Sequence, residues 1–427
     1  MQSMRKSSLF TVFMVVFIGL MGFSFLIPLL PFLALEFGAD ELTLGLLLSS
    51  YALAQLIGAP ILGRLSDQYG RRPVLLVSTF GTFISLVMVA FAGDLRLLFL
   101  SRILDGLTGG NISVAQAYIT DVTDEKNRAR GLGLLGAAFG LGFIIGPALS
   151  GMFSALGRAT INPAVAEGTS TFLQSFNWEY ALPVFIASAI SLFNVLQVIF
   201  TLPESLTAER RAELQDSDQR GFSFEAFRRS LTRPQIGPLL VLRLLFSSAF
   251  TMFQAAFSLW GSLRLGLDAA GVGGVLTYVG FISVIVQGYL VGKLTDRFSE
   301  TILLFWASVG MAIGLVGWAV SPSIPVLFIA LIPVSAAGGI FNTVINSALT
   351  KAASRKEAGG ILGISASLES FTRVIGPVLG NGLLGLSTLL PGVLGAILTG
   401  VSAIFVWNRI IGREGDTEKA KIAPRSS

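Results

Sequence analysis

Two side chains are missing altogether from these 427 residues, cysteine and histidine. Without cysteine there is no disulfide framework, no catalytic thiol and no thiolate metal site. Without histidine the side chain that ordinarily titrates near neutral pH is gone, so any proton handling rests on carboxylates. Charge of either sign is scarce: 13% of the chain is Asp, Glu, Lys or Arg, against 53% hydrophobic residues. With a mean hydropathy of +0.75, these proportions exclude a soluble globular domain and describe an integral membrane protein. The net charge of +5 is concentrated in loops, which suits contact with anionic lipid head groups and argues against nucleic acid. There is no GxxxxGK[ST] phosphate loop, no nucleophile paired with histidine and no metal-ligand spacing. The chain therefore reads as a non-enzyme with no cofactor, driven by an ion gradient or by the gradient of its own substrate.

What is abundant is apolar sequence in long runs. Stretches of about 20 residues, enough to cross a bilayer, are expected near 9–33, 43–63, 73–92, 98–120, 131–153, 181–201, 238–260, 270–292, 301–320, 324–347, 359–384 and 388–408. The first follows Arg5 and Lys6 and has no small-residue cleavage site before Glu36, so it reads as a retained helix. Arg96, Arg158 and Arg264 fall on one side of these spans and Arg102, Arg243 and Arg373 within them, while the other 24 of the 30 basic residues fall on the opposite side. The asymmetry puts both termini in the cytoplasm. The 33 phenylalanines support no aromatic pocket by their number alone, because most of them face lipid or neighbouring helices in such a bundle.

The chain repeats itself. Gly63-Arg-Leu-Ser-Asp67-Gln-Tyr-Gly70-Arg71-Arg72 returns in altered form 229 residues later as Gly292-Lys-Leu-Thr-Asp296-Arg297, with Ser299 and Glu300 at the positions of the final glycine and first arginine. Gly133, Gly146 and Pro147 return at an offset of 230 as Gly363, Gly376 and Pro377. Tandem six-helix repeats imply a substrate handled near mid-membrane by alternating access. The expected divisions are an N-terminal half at 1–203, a cytoplasmic linker at 204–235, a C-terminal half at 236–410 and a polar tail at 411–427. Within the linker, Phe222 to Leu231 interleaves aromatic and basic residues at a spacing that suits a helix lying on the membrane surface, the alternative being an unstructured connection. An outer segment from about Leu156 to Glu179 shows no readable role.

Three constellations carry the chemistry. In the first loop, Gly63 and Gly70 allow close helix approach and an unusual backbone turn, while Arg71 and Arg72 anchor at the interface around the single charge of Asp67. The expectation is a conformational latch, weaker in the second copy at Asp296, set against a loop that only enforces topology. In the fourth span, Arg102 and Asp105 are three residues apart and share a helix face in the outer half of the membrane. Ionisable groups there are functional candidates by default, with a self-neutralised pair as the plain alternative. Glu369 and Arg373 form a second pair, spaced i,i+4 on the eleventh span. The third constellation is a small-residue face, Gly142, Gly146 and Gly151 with Pro147, which lets the fifth helix approach another closely and bend. Asn111, Gln116 and Arg243 are candidates for a substrate cavity, Arg243 having snorkelling to the interface as its alternative role.

These residues resemble the motifs of the major facilitator superfamily over nearly the whole chain, most densely from Pro28 to Gly151. The loop at Gly63 to Arg72 resembles its signature loop, whose aspartate, here Asp67, helps hold one conformation across the cytoplasmic interface between halves. Arg102 followed by Gly106 is similar to the motif whose arginine is associated with proton coupling. Gly133 with Gly142, Gly146, Pro147 and Gly151 resembles the motif of the antiporter branch. The resemblance implies an all-α fold of twelve transmembrane helices in two pseudo-symmetric halves, close to bacterial tetracycline and multidrug exporters. It further implies a monomer in a bacterial plasma membrane that binds a small-molecule substrate, protons and lipid; the candidate coupling residues are Arg102, which matches that motif, and Asp105, Glu369 and Arg373, which are read from their placement within the spans. Where tetracycline exporters carry acids in helices 1, 3 and 9, this chain has Gly19, Ser85 and Ser308, so tetracycline is not the expected substrate. Three readings follow: a proton-coupled exporter of small amphipathic compounds, a facilitator or symporter of a specific metabolite, an anion among the candidates, and a transporter-like receptor without flux.

Overall fold

The computed structural model describes residues 2–163, 171–207, 211, 224–354 and 357–408, and among them all regular structure is helical. The order is α1 (Gln2–Leu26), α2 (Leu30–Glu36), α3 (Glu41–Tyr69), α4 (Arg71–Ala90), α5 (Leu95–Thr108), α6 (Asn111–Val122) and α7 (Glu125–Leu156). After a π turn at Gly157–Ile161 come α8 (Thr171–Gln174), α9 (Trp178–Thr201), α10 (Phe224–Thr232), α11 (Gly237–Leu265) and α12 (Ala269–Ile285). A second π turn at Val286–Leu290 leads into α13 (Val291–Thr295), α14 (Glu300–Val320), α15 (Ile324–Ala352), α16 (Ala358–Leu384) and α17 (Leu390–Val406). Short carboxylates start several of them: Asp40, Asp94 and Asp124 accept from the backbone N–H of Thr43, Leu97 and Asn127 at 2.7, 2.8 and 2.9 Å. Each supplies an acceptor that the first helical turn lacks.

Among the described residues nine helical segments are long and apolar enough to cross a membrane. The three other expected spans also fall on helix: α16, the shorter α17, and α5 with α6. The last of these is not continuous. Gly109 and Gly110 break it in mid-span, and the freed carbonyls are taken by side chains of the helices alongside: Gln55 Nε2 donates to Gly109 O at 3.0 Å and Ser78 Oγ to Thr108 O at 2.5 Å. That is how a membrane helix tolerates a break. Large apolar side chains such as Phe193, Phe200, Ile313 and Ile329 are exposed along the outer faces, as lipid contact requires. In the linker, α10 covers most of the expected surface helix at Phe222 to Leu231; the remainder of that stretch, and the tail at 411–427, lie outside the described residues.

The chain forms two compact units, Met1–Gln219 with Ser258–Gly280, and Arg220–Phe257 with Phe281–Ser427. In the first, Val12, Val16, Leu75, Tyr118, Ile119 and Val198 make a closed apolar core, and the Tyr118 hydroxyl donates to Pro203 O at 2.9 Å. The C-terminal part of α11 and most of α12 belong to this unit, and glycines bring the α12 backbone close to α7. A Cβ on Gly273 would stand 2.6 Å from Pro147 O and 3.0 Å from Gly151 Cα, and one on Gly280 would stand 3.0 Å from Phe143 O. In a bilayer, where lipid is as apolar as leucine, such close contact is what holds helices together. At one end of the same unit Arg158 pairs with Asp268 and stands 3.9 Å from Glu179. The second unit is centred on stacked rings: Phe246 and Phe341 at 3.7 Å, and Phe253 edge-on to Trp318 at 4.9 Å.

Candidate functional site

The turn between α3 and α4 is built on a backbone that only glycine adopts easily, since Gly70 has φ +110°. The following helix start presents two free N–H groups, and Glu204 caps both: its Oε1 accepts from Arg71 N at 2.9 Å and its Oε2 from Arg72 N at 3.1 Å. A carboxylate at a helix N-terminus is favoured by the helix dipole as well as by the bonds. A Cβ on Gly70 would stand 2.4 Å from Glu204 Oε2, so the glycine also makes room for the cap. The Arg71 side chain is buried and fully engaged, with Asp67 at 2.5 Å, Ser66 Oγ at 2.7 Å and Asp121 at 3.0 Å. Asp67 thus finds a partner in its own loop. Gly63, read from sequence as a point of close approach, is not one: among the described residues a Cβ there meets nothing within 4 Å. The close approach of α3 is made by Gly58 on Leu107 O, with Gly106 of α5 on Tyr51 O, at 2.3 and 2.4 Å.

The second copy of the loop is wired differently. Asp296 is exposed and makes no ion pair among the described residues. Glu300, which stands where Arg71 stands in the first copy, pairs with Lys351 at 2.9 Å and accepts from Ser347 Oγ.

In the membrane-spanning part of the first unit, Arg102 and Asp105 lie 3.2 Å apart, with 3% and 6% of their side chains exposed. Neither charge is left with the other alone. Arg102 Nη2 donates to Ser85 Oγ at 2.7 Å, and Ser85 Oγ in turn donates to Ser101 O at 2.9 Å. Thr82 Oγ1 donates to the second oxygen of Asp105 at 2.9 Å. One face of α4 therefore completes the coordination of a pair carried by α5. Removing one member of such a buried pair costs about 3–5 kcal/mol, because the other is left uncompensated.

The second unit holds a cluster that sequence spacing only half revealed. Arg243 does not snorkel: its side chain is 5% exposed and reaches Glu369 on α16, while its Nη1 donates to Asn342 Oδ1 on α15 at 2.8 Å. Arg373 reaches the other Glu369 oxygen at 2.7 Å. Two guanidinium groups share one carboxylate.

Each unit also contains a glycine-faced helix seated on its first long helix. A Cβ on Gly146 would fall 1.9 Å from Ser24 Oγ and one on Gly142 would fall 3.0 Å from Leu20 Cβ; a Cβ on Gly376 would fall 2.4 Å from Thr251 Oγ1. Ser24 donates to Gly142 O at 2.7 Å and Thr251 to Thr372 O at 3.1 Å, acceptors separated by the repeat offset of 230. Gly151 faces α12 instead, and Gly133 faces open space among the described residues. Asn111 is half-buried with its amide 3.0 Å from where a Gly19 side chain would begin, and Gln116 is exposed.

Residues that sequence reading missed are mostly neutral or distant: Thr82, Asn342, Asp121 and Glu204. A signal existed for two of them. Asp121 and Lys351 stand at the repeat offset of 230 with opposite charge, and Glu204 follows a proline at the end of the sixth span.

The sequence profile of the family described as Major Facilitator Superfamily matches residues 12–377 and again 285–425. The class D tetracycline resistance protein of Salmonella ordonez is 30% identical over 372 residues, covering 84% of this chain and 85% of that protein. Solute carrier family 22 member 18 of Mus musculus is 30% identical over 410 residues, covering 92% and 93%. Among solved structures, a bacterial homologue of the human lysosomal transporter Spinster, inward-facing and unoccupied, superposes with a TM-score of 0.74 at 16% identity, covering 96% of this chain and 97% of that one.

Proposed function

The chain belongs to the major facilitator superfamily, and from that premise we propose that it is a proton-coupled antiporter exporting small amphipathic compounds by alternating access. The observation that carries this reading is the buried Arg102–Asp105 pair with Thr82 and Ser85 around it. A carboxylate in a membrane helix is stabilised in its charged form by a neighbouring guanidinium and in its neutral form by burial, so a change in water access or in the Arg102 contact moves the proton on or off. No histidine competes for that task. The relatives named for tetracycline resistance support export as the direction. The working protein is a monomer in a bacterial plasma membrane with both termini in the cytoplasm, exchanging substrate for external protons. The loop around Arg71 and Asp67 acts as its conformational latch, and anionic lipid meets its basic cytoplasmic loops.

A second reading, a facilitator or symporter of an anionic metabolite, draws on the positive balance at Arg243, Glu369 and Arg373. The sign of the pH effect separates the two. In proteoliposomes with an imposed pH gradient, antiport moves substrate against the proton flow and Asp105→Asn abolishes uphill movement while leaving exchange down a gradient. Uphill transport that survives Asp105→Asn would assign Asp105 a purely structural role, and substrate moving with protons would replace antiport by symport.

A further inference from the structure

The Arg243, Glu369 and Arg373 cluster has no counterpart in the other repeat. At the offset of 230 that relates the two halves, Arg243, Glu369 and Arg373 correspond to Phe13, Phe139 and Phe143. The offset holds in space as well as in sequence, because Gly146 closes on Met21 and Gly376 on Thr251, again 230 apart. Phe13, Phe139 and Phe143 pack against the apolar core of their own unit. The corresponding positions on the same pair of helices are thus aromatic in one half and charged in the other. Replacing buried ion pairs with apolar groups is often neutral or stabilising, so the fold gives no reason for charge here.

The cluster is also incomplete as an ion pair. It carries two positive charges and one negative, and among the described residues the buried Nε–H of Arg243 has no acceptor. Nε and Nη2 form one edge of the guanidinium, the edge that takes a carboxylate in a paired fork; Glu369 occupies Nη2 alone. Exposure rises outward through the cluster, from 5% at Arg243 to 25% at Glu369 and 53% at Arg373. That exposure is not to lipid. The lipid-type stripe of α16 is Phe371, Ile375 and Leu379, spaced i, i+4 and i+8 and all exposed, and Arg373 lies two residues from Phe371, about 200° round the helix. A half-exposed guanidinium in mid-helix is tolerable only where water or a polar ligand reaches it.

Resting on the export reading above, we propose that Arg243 and Arg373 bind the anionic group of the transported compound, a carboxylate or sulfonate on an amphipathic body, and that Glu369 fills the site until the ligand displaces it. Glu369 is then a tethered competitor. The two kinds of substitution have opposite effects on binding: loss of an arginine weakens it and loss of the glutamate charge strengthens it. A structural ion cluster would respond to both in the same direction.

The test uses the full chain in lipid nanodiscs with fluorescent probes sharing one aromatic body: dansylglycine and dansylaspartate as anions, dansylamide as the neutral form and dansylcadaverine as the cation. The anions are expected to bind more tightly than dansylamide. Arg243→Gln and Arg373→Gln should weaken anion binding by about tenfold, the loss of one charge-assisted contact, and Glu369→Gln should tighten it by about threefold or more. Melting midpoints control for folding; should Arg243→Gln fail to fold, the half-exposed Arg373 carries the test. Failure of both anions to bind, unchanged affinity in the arginine variants, or equal or weaker binding in Glu369→Gln overturns the proposal. Its failure is separable from that of the export reading. Uphill, pH-driven flux of dansylcadaverine without anion binding removes this site and leaves antiport standing. The expected binding pattern without any pH-driven flux does the reverse.

Discussion

Lys351 Nζ lies 2.9 Å from Glu300 Oε1, at the places held in the first repeat by Asp121 and Arg71, with the sign of each charge reversed. The first pair ties the start of α4 to the end of α6 and the second ties the start of α14 to the end of α15, so each repeat closes the equivalent corner with one ion pair. The surroundings differ. Arg71 is 6% exposed and has three side-chain partners, whereas Lys351 is 72% exposed. Exposed pairs contribute about 0.2–1 kcal/mol, so the two corners should respond unequally.

Glu300→Lys is expected to lower stability by no more than about 1 kcal/mol, and the double exchange Glu300→Lys with Lys351→Glu to restore it. Arg71→Ala should cost several times more, since it strands Asp67 and Asp121 together. Denaturation of the purified protein, read by tryptophan fluorescence, compares the variants; equal losses at the two corners would contradict the difference in burial.

Asp67→Asn is expected to leave membrane insertion intact and to shift the distribution of distances between labels placed on the two repeats. Double electron–electron resonance reads that distribution. An unchanged one would reduce the loop at Gly63 to Arg72 to a topological role.

Around the Arg102–Asp105 pair, Ser85→Ala and Thr82→Val each remove one hydrogen bond to a charged group, worth about 1.5–3 kcal/mol, and on the coupling proposed above they should alter the pH dependence of transport without abolishing it. Arg102→Ala should abolish coupling and cost about 3–5 kcal/mol of stability. A pH profile unmoved by both mild variants would show that α4 does not tune the pair.

The glycines divide by what faces them. Gly63→Ala and Gly133→Ala should be tolerated or stabilise by about 0.5–1 kcal/mol through lower chain entropy in a helix, because their surroundings are open among the described residues. Gly146→Leu and Gly376→Leu should abolish transport, since Ser24 and Thr251 already occupy the space. Flux at matched expression is the measurement, and normal flux in either leucine variant would show that these contacts open without consequence.

Outside the spans Arg233 pairs with Glu357 at 2.7 Å. The bonds from Arg233, with Ser354 beside it, pull the Glu357 carboxyl down to about 2 from its ordinary 4.5. A lowered folded pKa means that the unfolded chain binds the proton more readily, so the contribution is complete above about 4.5 and is lost as pH falls towards 2. Both side chains are exposed at 45%, so screening keeps the effect small. Melting curves between pH 6 and 3 should show a shallower fall for Glu357→Gln than for the native chain, and identical slopes would remove the pair from the account.

Much of this was legible in sequence because membrane spans announce themselves by composition and the repeat by its offset. The Arg102–Asp105 and Glu369–Arg373 pairs were readable because their members share one helix. Arg243 was not, since its partners lie 126 and 99 residues away. Thr82 and Ser85 were invisible for another reason: hydroxyls in a membrane helix usually bond back to their own turn, as Ser308 does to Leu304 O, and only the neighbouring helix shows which ones turn outward. The expectation that Gly63 marks close approach failed because a motif glycine and a packing glycine look alike; the packing role on that helix belongs to Gly58.

The broken span at Gly109 and Gly110 has a mechanical corollary. A rod snapped inside the bilayer must be splinted, and the splints are Gln55 of α3 and Ser78 of α4. The first fragment carries Asp105 and the second reaches Asp121, so the buried carboxylate and the one that holds Arg71 sit on opposite sides of one fracture. Neither fragment shifts without pulling on the splints. Any displacement of either fragment therefore loads α3 and α4 through these two bonds, which couples the four helices α3 to α6 to one another.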